Sequence, residues 1–141
     1  MPDKKYLSII DANFNRCKEG LRVTEDIFRF VIKDDLLRGK ARNFRHSLVH
    51  SVDPCLIKEA ILERDSAKDL GKKLDSFENK RDGLWDTLYR NLQRTKESLR
   101  VLEEFSKIID KKNTAGLKDL RYKIYDFEKE IILKWPSLCN N

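Results

Sequence analysis

Glycine and proline are scarce: the 141 residues hold five Gly and three Pro, and Pro2 and Pro136 stand near the two ends. So few breakers disfavour an architecture of many short strands and tight turns. Cysteine is scarce as well. Cys17, Cys55 and Cys139 are odd in number and form no CxxC pair, so they read as free thiols in a reducing compartment, the cytoplasm by default. No apolar run approaches the length of a membrane span, and the opening MPDKKYLSII lacks the apolar core and cleavage site of a secretory signal. The signatures GxxxxGKS/T, GxGxxG and GxSxG are missing, and no cysteine carries the local signature of a nucleophile.

What is present is a charged, helix-forming chain. Lys, Arg, Glu, Leu and Asp dominate, and these suit helices. The length is that of one domain able to bury its own core, so 1–141 is expected to be a single all-α domain. The net charge of +6 favours an anionic partner, a phosphorylated metabolite or nucleic acid, and does not choose between them.

The main feature is an internal repeat. NFNRCKEGLRVTEDIFRFVIK, Asn13 to Lys33, aligns without a gap with NLQRTKESLRVLEEFSKIIDK, Asn91 to Lys111, at a constant offset of 78. Further on, Asn43-Phe44-Arg45-His46 resembles Asp119-Leu120-Arg121-Tyr122 at an offset two residues shorter. Each copy reads as a long helix, a short turn and a second helix. The copies span about 8–50 and 86–134, and a connection of about 51–82 separates them.

Both long helices carry an apolar seam with 4,3,4,3 spacing. It runs Ile10, Phe14, Cys17, Leu21, Thr24, Phe28, Val31 in the first copy and Leu88, Leu92, Thr95, Leu99, Leu102, Ser106, Ile109 in the second. Ser8 and Asp82 are the expected N-caps of these helices, and Asp34 or Asp35 that of the helix reaching about His50. Asp53-Pro54 reads as the cap and first turn of a short helix to about Glu63. Arg64 to Arg81 looks irregular; Thr114 starts the last helix, which stops before Pro136. The expected architecture is an antiparallel helical bundle whose two copies are related by a pseudo-twofold axis.

At about 100° per residue, Asn13, Arg16 and Gly20 fall inside the apolar arc that Ile9, Val23, Ile27 and Phe30 widen. Asn91, Arg94 and Ser98 hold the matching places. Buried arginines need an anion or a carboxylate, and Glu19 and Glu97 lie close enough in sequence to serve. Such a group is either an ion-pair network or a ligand site. Mid-helix Gly20 costs about 1 kcal/mol relative to Ala, which either close helix packing or room for a ligand would explain. Glu19, Arg22, Asp26 and Arg29, and again Glu97, Arg100, Glu104 and Lys107, read as a solvated salt ladder. Arg38, Lys40, Arg42, Arg45 and His46 form a basic face; His46 and His50 alone make a weak zinc motif. Arg64, Asp65, Lys68, Asp69, Gly71, Lys72 and Lys73 form an acid–base loop that either holds Mg²⁺ and phosphate or is a plain linker.

The stretch IDANFNRCKEGLRVTEDIFRF, Ile10 to Phe30, and RNLQRTKESLRVLEEFSK, Arg90 to Lys107, resemble a known helical family. Arg45-His46, Arg64-Asp65 with Asp69 and Gly71, Leu120-Arg121-Tyr122 and Tyr125-Asp126 extend the resemblance over nearly the whole chain. The family is the small helical domain found alone or fused in front of thiamine-phosphate synthase. Thr24 and Leu88-Tyr89-Arg90 depart from its pattern. The resemblance implies an ATP- and Mg²⁺-dependent kinase of hydroxymethylpyrimidine phosphate in thiamine biosynthesis. Laid on matching positions, Arg16 and Arg94 with Glu19 and Glu97 would form the catalytic group. Asn13, Asn91, Arg45, His46, Arg121 and Tyr122 would bind substrate. Arg64 and Lys72 would hold the nucleotide, and Asp65 and Asp69 the metal. The alternative is a non-catalytic domain that binds a pathway intermediate or docks on the synthase. A nucleic-acid binder ranks lower, because acids and bases are interleaved throughout. No membrane partner is expected, and a homodimer is plausible only as a base rate.

Overall fold

The computed structural model describes residues 4–73 and 80–140. The described residues form five α-helices and no strands: α1 (Lys4–Asp26), α2 (Asp35–His50), α3 (Pro54–Leu62), α4 (Leu84–Ile109) and α5 (Thr114–Lys134). Three short 3₁₀ turns, Ser66–Lys68, Lys111–Asn113 and Pro136–Cys139, punctuate the chain. None of these helices is long and apolar enough to cross a membrane.

The two long helices pack on each other more extensively than any other pair, with α2 and α3 laid on α1 and α5 laid on α4. Their contacts run antiparallel: Tyr6 stacks near Phe105, and Gly20 meets Thr95 and Asn91. The seams do the burying. Ile10, Phe14, Cys17 and Leu21 join Leu99, Leu102, Leu120 and Ile124 in one apolar cluster. Ile27 and Phe28 join Leu88, Leu92, Phe127 and Ile131 in a second, and Phe44 packs against both. Phe127 is the aromatic pivot, edge-on to Phe28 at 6.2 Å and to Phe44 at 5.2 Å.

Several boundaries fall where the sequence places them. Asp34 caps α2 through Leu37 N at 3.1 Å, Asp53 caps α3 through Cys55 N at 2.9 Å with Pro54 in its first turn, and α5 runs from Thr114 to Lys134. Others differ. Helix α1 begins at Lys4, so Ser8 lies inside it and caps nothing. Gly83, with φ 99°, is the N-cap of α4, while the Asp82 amide is taken by Asp86 Oδ2 at 2.9 Å. The first seam also ends early. Residues Ile27–Ile32 form a π-helical segment, which widens the turn and rotates the chain that follows. Phe30 and Val31 therefore face solvent at 60% exposure each, rather than extending the apolar arc. The second copy has no such segment and remains α-helical to Ile109.

Gly20 is a packing glycine. A Cβ there would lie 2.5 Å from Thr95 Oγ1 and 2.9 Å from the Asn91 carbonyl oxygen. The second contact is backbone and cannot swing away. Gly20→Ala is therefore expected to destabilise by about 2 kcal/mol, despite the better helix propensity of alanine. Gly39, in α2, has nothing within 4 Å of the same position, so Gly39→Ala should stabilise by about 0.5–1 kcal/mol. Urea denaturation of the two variants reads both signs.

The far ends of α2 and α5 are tied by Asp34, which is buried. Burial opposes its ionisation. Lys134 Nζ at 2.7 Å, Trp135 Nε1 at 2.8 Å and the Leu37 amide outweigh that and hold the carboxyl down at about 2, below its ordinary 3.8. A depressed folded pKa contributes stability that is present above about pH 4 and lost as pH falls toward 2, here about 2 kcal/mol. Wild-type stability should drop across that window, and Asp34→Ala should flatten the drop in acid titrations followed by circular dichroism.

Candidate functional site

Two asparagines are held the same way in the two copies. Asn13 Nδ2 donates to the Ile9 carbonyl at 2.9 Å, and Asn91 Nδ2 to the Thr87 carbonyl at 2.8 Å. Asn13 is only 5% exposed, and its Oδ1 accepts from Arg16 Nη1 at 3.3 Å. The arginines themselves are exposed, not interior as the helical wheel places them. A wheel fixes the direction of Cβ, whereas a long guanidinium stem crosses apolar surface to reach water. Both nevertheless border one hollow. Arg16 and Asn13 of α1 and Arg94, Glu97, Ser98 and Val101 of α4 line a cleft of about 280 Å³. Glu19 is exposed and lines no part of it.

A second cleft, of about 670 Å³, lies between α1 and the chain that follows α3. Asn13 and Arg16 line it again, now with Asp11 on the same helix and Arg64, Asp65, Lys68 and Asp69 opposite. A fork closes this assembly: Arg64 donates Nε and Nη2 to the two carboxylate oxygens of Asp11, each at 2.6 Å. Asp11 is buried, and its carboxylate raises the Arg64 pKa above its ordinary value. The bidentate pair pins the loop to α1. Asp65 accepts from the Lys68 amide at 3.3 Å and Asp69 from the Gly71 amide at 2.9 Å, so the loop is built on two local aspartate turns. Lys72 is exposed and lies outside the cleft lining.

Arg45 and Arg121 have another setting. Arg45 Nη2 meets Glu25 Oε1 at 3.0 Å, and Arg22 meets the other oxygen at 3.4 Å. Arg121 donates to Glu103 Oε2 at 2.9 Å, with Arg100 at 3.7 Å. Glu25 and Glu103 are each 3% exposed and stand 78 residues apart, the repeat offset. Arg121 Nη1 also donates to Tyr125 Oη at 2.9 Å, and its guanidinium lies over the rings of Tyr122 and Tyr125. Burial opposes protonation there, but the Tyr125 and Glu103 contacts leave the Arg121 pKa raised. His46 and Tyr122 are exposed beside these pairs. Asn13 and Glu25 are twelve residues apart, about 18 Å along α1. Arg45, His46, Arg121 and Tyr122 line neither of the two clefts.

Sequence reasoning passed over Asp11, Glu25 and Glu103. A signal existed for the glutamates: Glu25 is four residues after Leu21 and three before Phe28, on the buried face, and Glu103 repeats it. Asp11 gave none, because its partner Arg64 is 53 residues away. Cys17 is a packing group. Burial raises its thiol pKa to about 12 although Ser98 shares a hydrogen bond with it, so the thiolate is not accessible near neutrality. Cys55 and Cys139 are free thiols as well.

Among the described residues no three of His, Cys, Asp and Glu converge on a protein-only metal site. Mg²⁺ does not require one, since it is commonly held by one or two carboxylates with substrate phosphates and water completing the shell. Asp65 and Asp69, both exposed on the larger cleft, fit that donor set.

The chain is thus an all-helical bundle with paired acid–base clefts beside its central helix crossing. It belongs to the ThiD2 family, which it matches over residues 8–130. Among its relatives are proteins named thiamine-phosphate synthase. The one from Rhodopirellula baltica is 33% identical over 136 residues, covering 96% of this chain and 36% of the relative. The one from Prochlorococcus marinus is 38% identical over 138 residues, 97% of this chain and 38% of the relative. A Synechocystis relative is 35% identical over 125 residues, 88% and 35% respectively. The chain spans about a third of the length of these curated relatives. No solved structure matches it.

Removing one partner of a buried ion pair strands the other. Glu103→Ala is therefore expected to cost about 3–5 kcal/mol, and Glu103→Met with Arg121→Met much less. Chemical denaturation of the single and double variants measures the difference.

Proposed function

We propose that the chain is an ATP- and Mg²⁺-dependent kinase that converts hydroxymethylpyrimidine phosphate to its diphosphate in cytoplasmic thiamine biosynthesis. In this reading the two repeats are related by a pseudo-twofold axis near the Gly20–Thr95 crossing. The observation that carries the proposal is that Arg16 and Arg94, matched residues of the two copies, border one cleft, and that among the described residues neither is ion-paired to a carboxylate. Membership of the ThiD2 family and likeness to proteins named thiamine-phosphate synthase supply the pathway.

The acceptor in such a reaction is a phosphate oxygen, already anionic at neutral pH, so a strong general base is unnecessary. The protein must bring two anionic groups together and neutralise charge where it builds up. Arg16 and Arg94 neutralise, and Asn13 orients; Asn91, the matching residue of the second copy, lines neither cleft and is bonded back to the Thr87 carbonyl. Asp65 and Asp69 would hold Mg²⁺, which when bound shields the charge of the donor phosphates. Glu97 borders the same cleft as Arg94. Arg45 and Arg121 serve the bundle through Glu25 and Glu103.

A second reading is a non-catalytic domain that binds a phosphorylated intermediate or docks on thiamine-phosphate synthase. It is favoured by the chain's matching only about a third of each such relative. Purified protein incubated with ATP, Mg²⁺ and the monophosphate should yield ADP and the diphosphate, followed by phosphorus NMR. Arg16→Ala and Arg94→Ala should each lower kcat/KM by about a hundredfold with helicity retained. Saturable binding of the monophosphate without ADP formation would select the second reading.

A further inference from the structure

We infer that the two clefts divide the reaction: the smaller takes the acceptor monophosphate, the larger takes the cation-bearing polyphosphate, and Arg16 stands between them. The inference rests on the kinase reading. Asn13 and Arg16 line both clefts, so the hollows meet along one turn of α1. Their volumes differ, about 280 Å³ against about 670 Å³. Small-molecule sites run to roughly 300–1,000 Å³, so the smaller suits a single-ring phosphate and the larger a nucleoside triphosphate.

Charge points the same way. The smaller cleft has two arginines against the single carboxylate Glu97 and is net positive. That suits a phosphate dianion arriving without a metal. In the larger cleft Arg16, Arg64 and Lys68 face Asp11, Glu63, Asp65 and Asp69, three cations against four carboxylates. A bare polyphosphate would be repelled there, whereas one carrying a divalent cation would be matched at both signs. The Arg64 fork is already committed to Asp11. Of the two loop cations in the described lining, that leaves Lys68, largely exposed and only loosely paired with Asp65 at 4.0 Å, to reach a donor phosphate. Asn13 is a positioning residue: anchored to the Ile9 carbonyl, it turns Oδ1 toward Arg16 and holds the guanidinium at the junction.

In the step that follows, an acceptor phosphate oxygen attacks the terminal phosphorus of the triphosphate. A new P–O bond forms, the bond to the bridging oxygen breaks, and ADP leaves with that electron pair. No proton has to move. Arg16 can touch the transferring group from either side, and neither Arg94 nor Lys68 lines the other's cleft.

Calorimetric titrations of the full chain test the assignment, with hydroxymethylpyrimidine phosphate as one probe and the Mg²⁺ complex of a methylene-bridged ATP analogue as the other. Arg94→Ala should weaken the monophosphate about tenfold and leave the analogue unchanged. Lys68→Ala should do the reverse, and Arg16→Ala should weaken both. Arg94 and Lys68 are exposed, so both variants should keep the wild-type melting profile. If wild type turns over but Arg94→Ala weakens the analogue, or Lys68→Ala the monophosphate, the division of the clefts is wrong and the kinase stands. If wild type binds no analogue and makes no ADP, the kinase reading falls and this inference with it.

Discussion

The contact of Gly20 with Thr95 and the Asn91 carbonyl sets the geometry of the molecule. A side chain at position 20 would push α1 and α4 apart. Their close approach brings Arg16 and Arg94 to the rim of one hollow instead of to two separate surfaces. It also places Cys17 within hydrogen-bonding reach of Ser98, so both helices present small or compact groups at the crossing. The rest of the bundle is laid against this pair, α2 and α3 on one member and α5 on the other.

Carboxylates then sort the arginines. Glu25 and Glu103 sit in the interior and hold Arg45 and Arg121, closing each outer helix onto its long helix. Asp11 takes Arg64 and fastens the loop. Ion pairs of this kind gain little net energy over apolar packing but are costly to half-remove, so they specify register more than they stabilise. What they leave unclaimed is the chemically interesting remainder. Among the described residues Arg16 and Arg94 have no such carboxylate, and they border open clefts.

The copies are alike in sequence and unlike in what surrounds them. Asp11 corresponds to Tyr89, so only the first copy can anchor a loop with an arginine fork. The π-helical turn after Asp26 gives the first copy a sharper exit, ending at Lys33 in the left-handed region at φ 61°. Asp34 follows it directly and draws in Lys134 and Trp135. A duplicated unit with identical surroundings would offer two equivalent hollows. The broken equivalence yields one small basic cleft and one larger mixed cleft sharing a turn of helix.

The sequence by itself determined the helices, their buried seams and most of their ends, because a 3.6-residue period, an aspartate cap and a proline in the first turn act over a few residues. It also marked Asn13 and Arg16 with Asn91 and Arg94 as matched groups, since repetition at a constant offset is visible without coordinates. Tertiary structure decided what those groups face. A wheel places Arg16 inward, yet its guanidinium reaches the surface because the stem is long and a cleft lies beside it. Only the fold could join Asp11 to Arg64, or show that the buried carboxylates holding arginines are Glu25 and Glu103 rather than Glu19 and Glu97, for a side chain finds its partner through space.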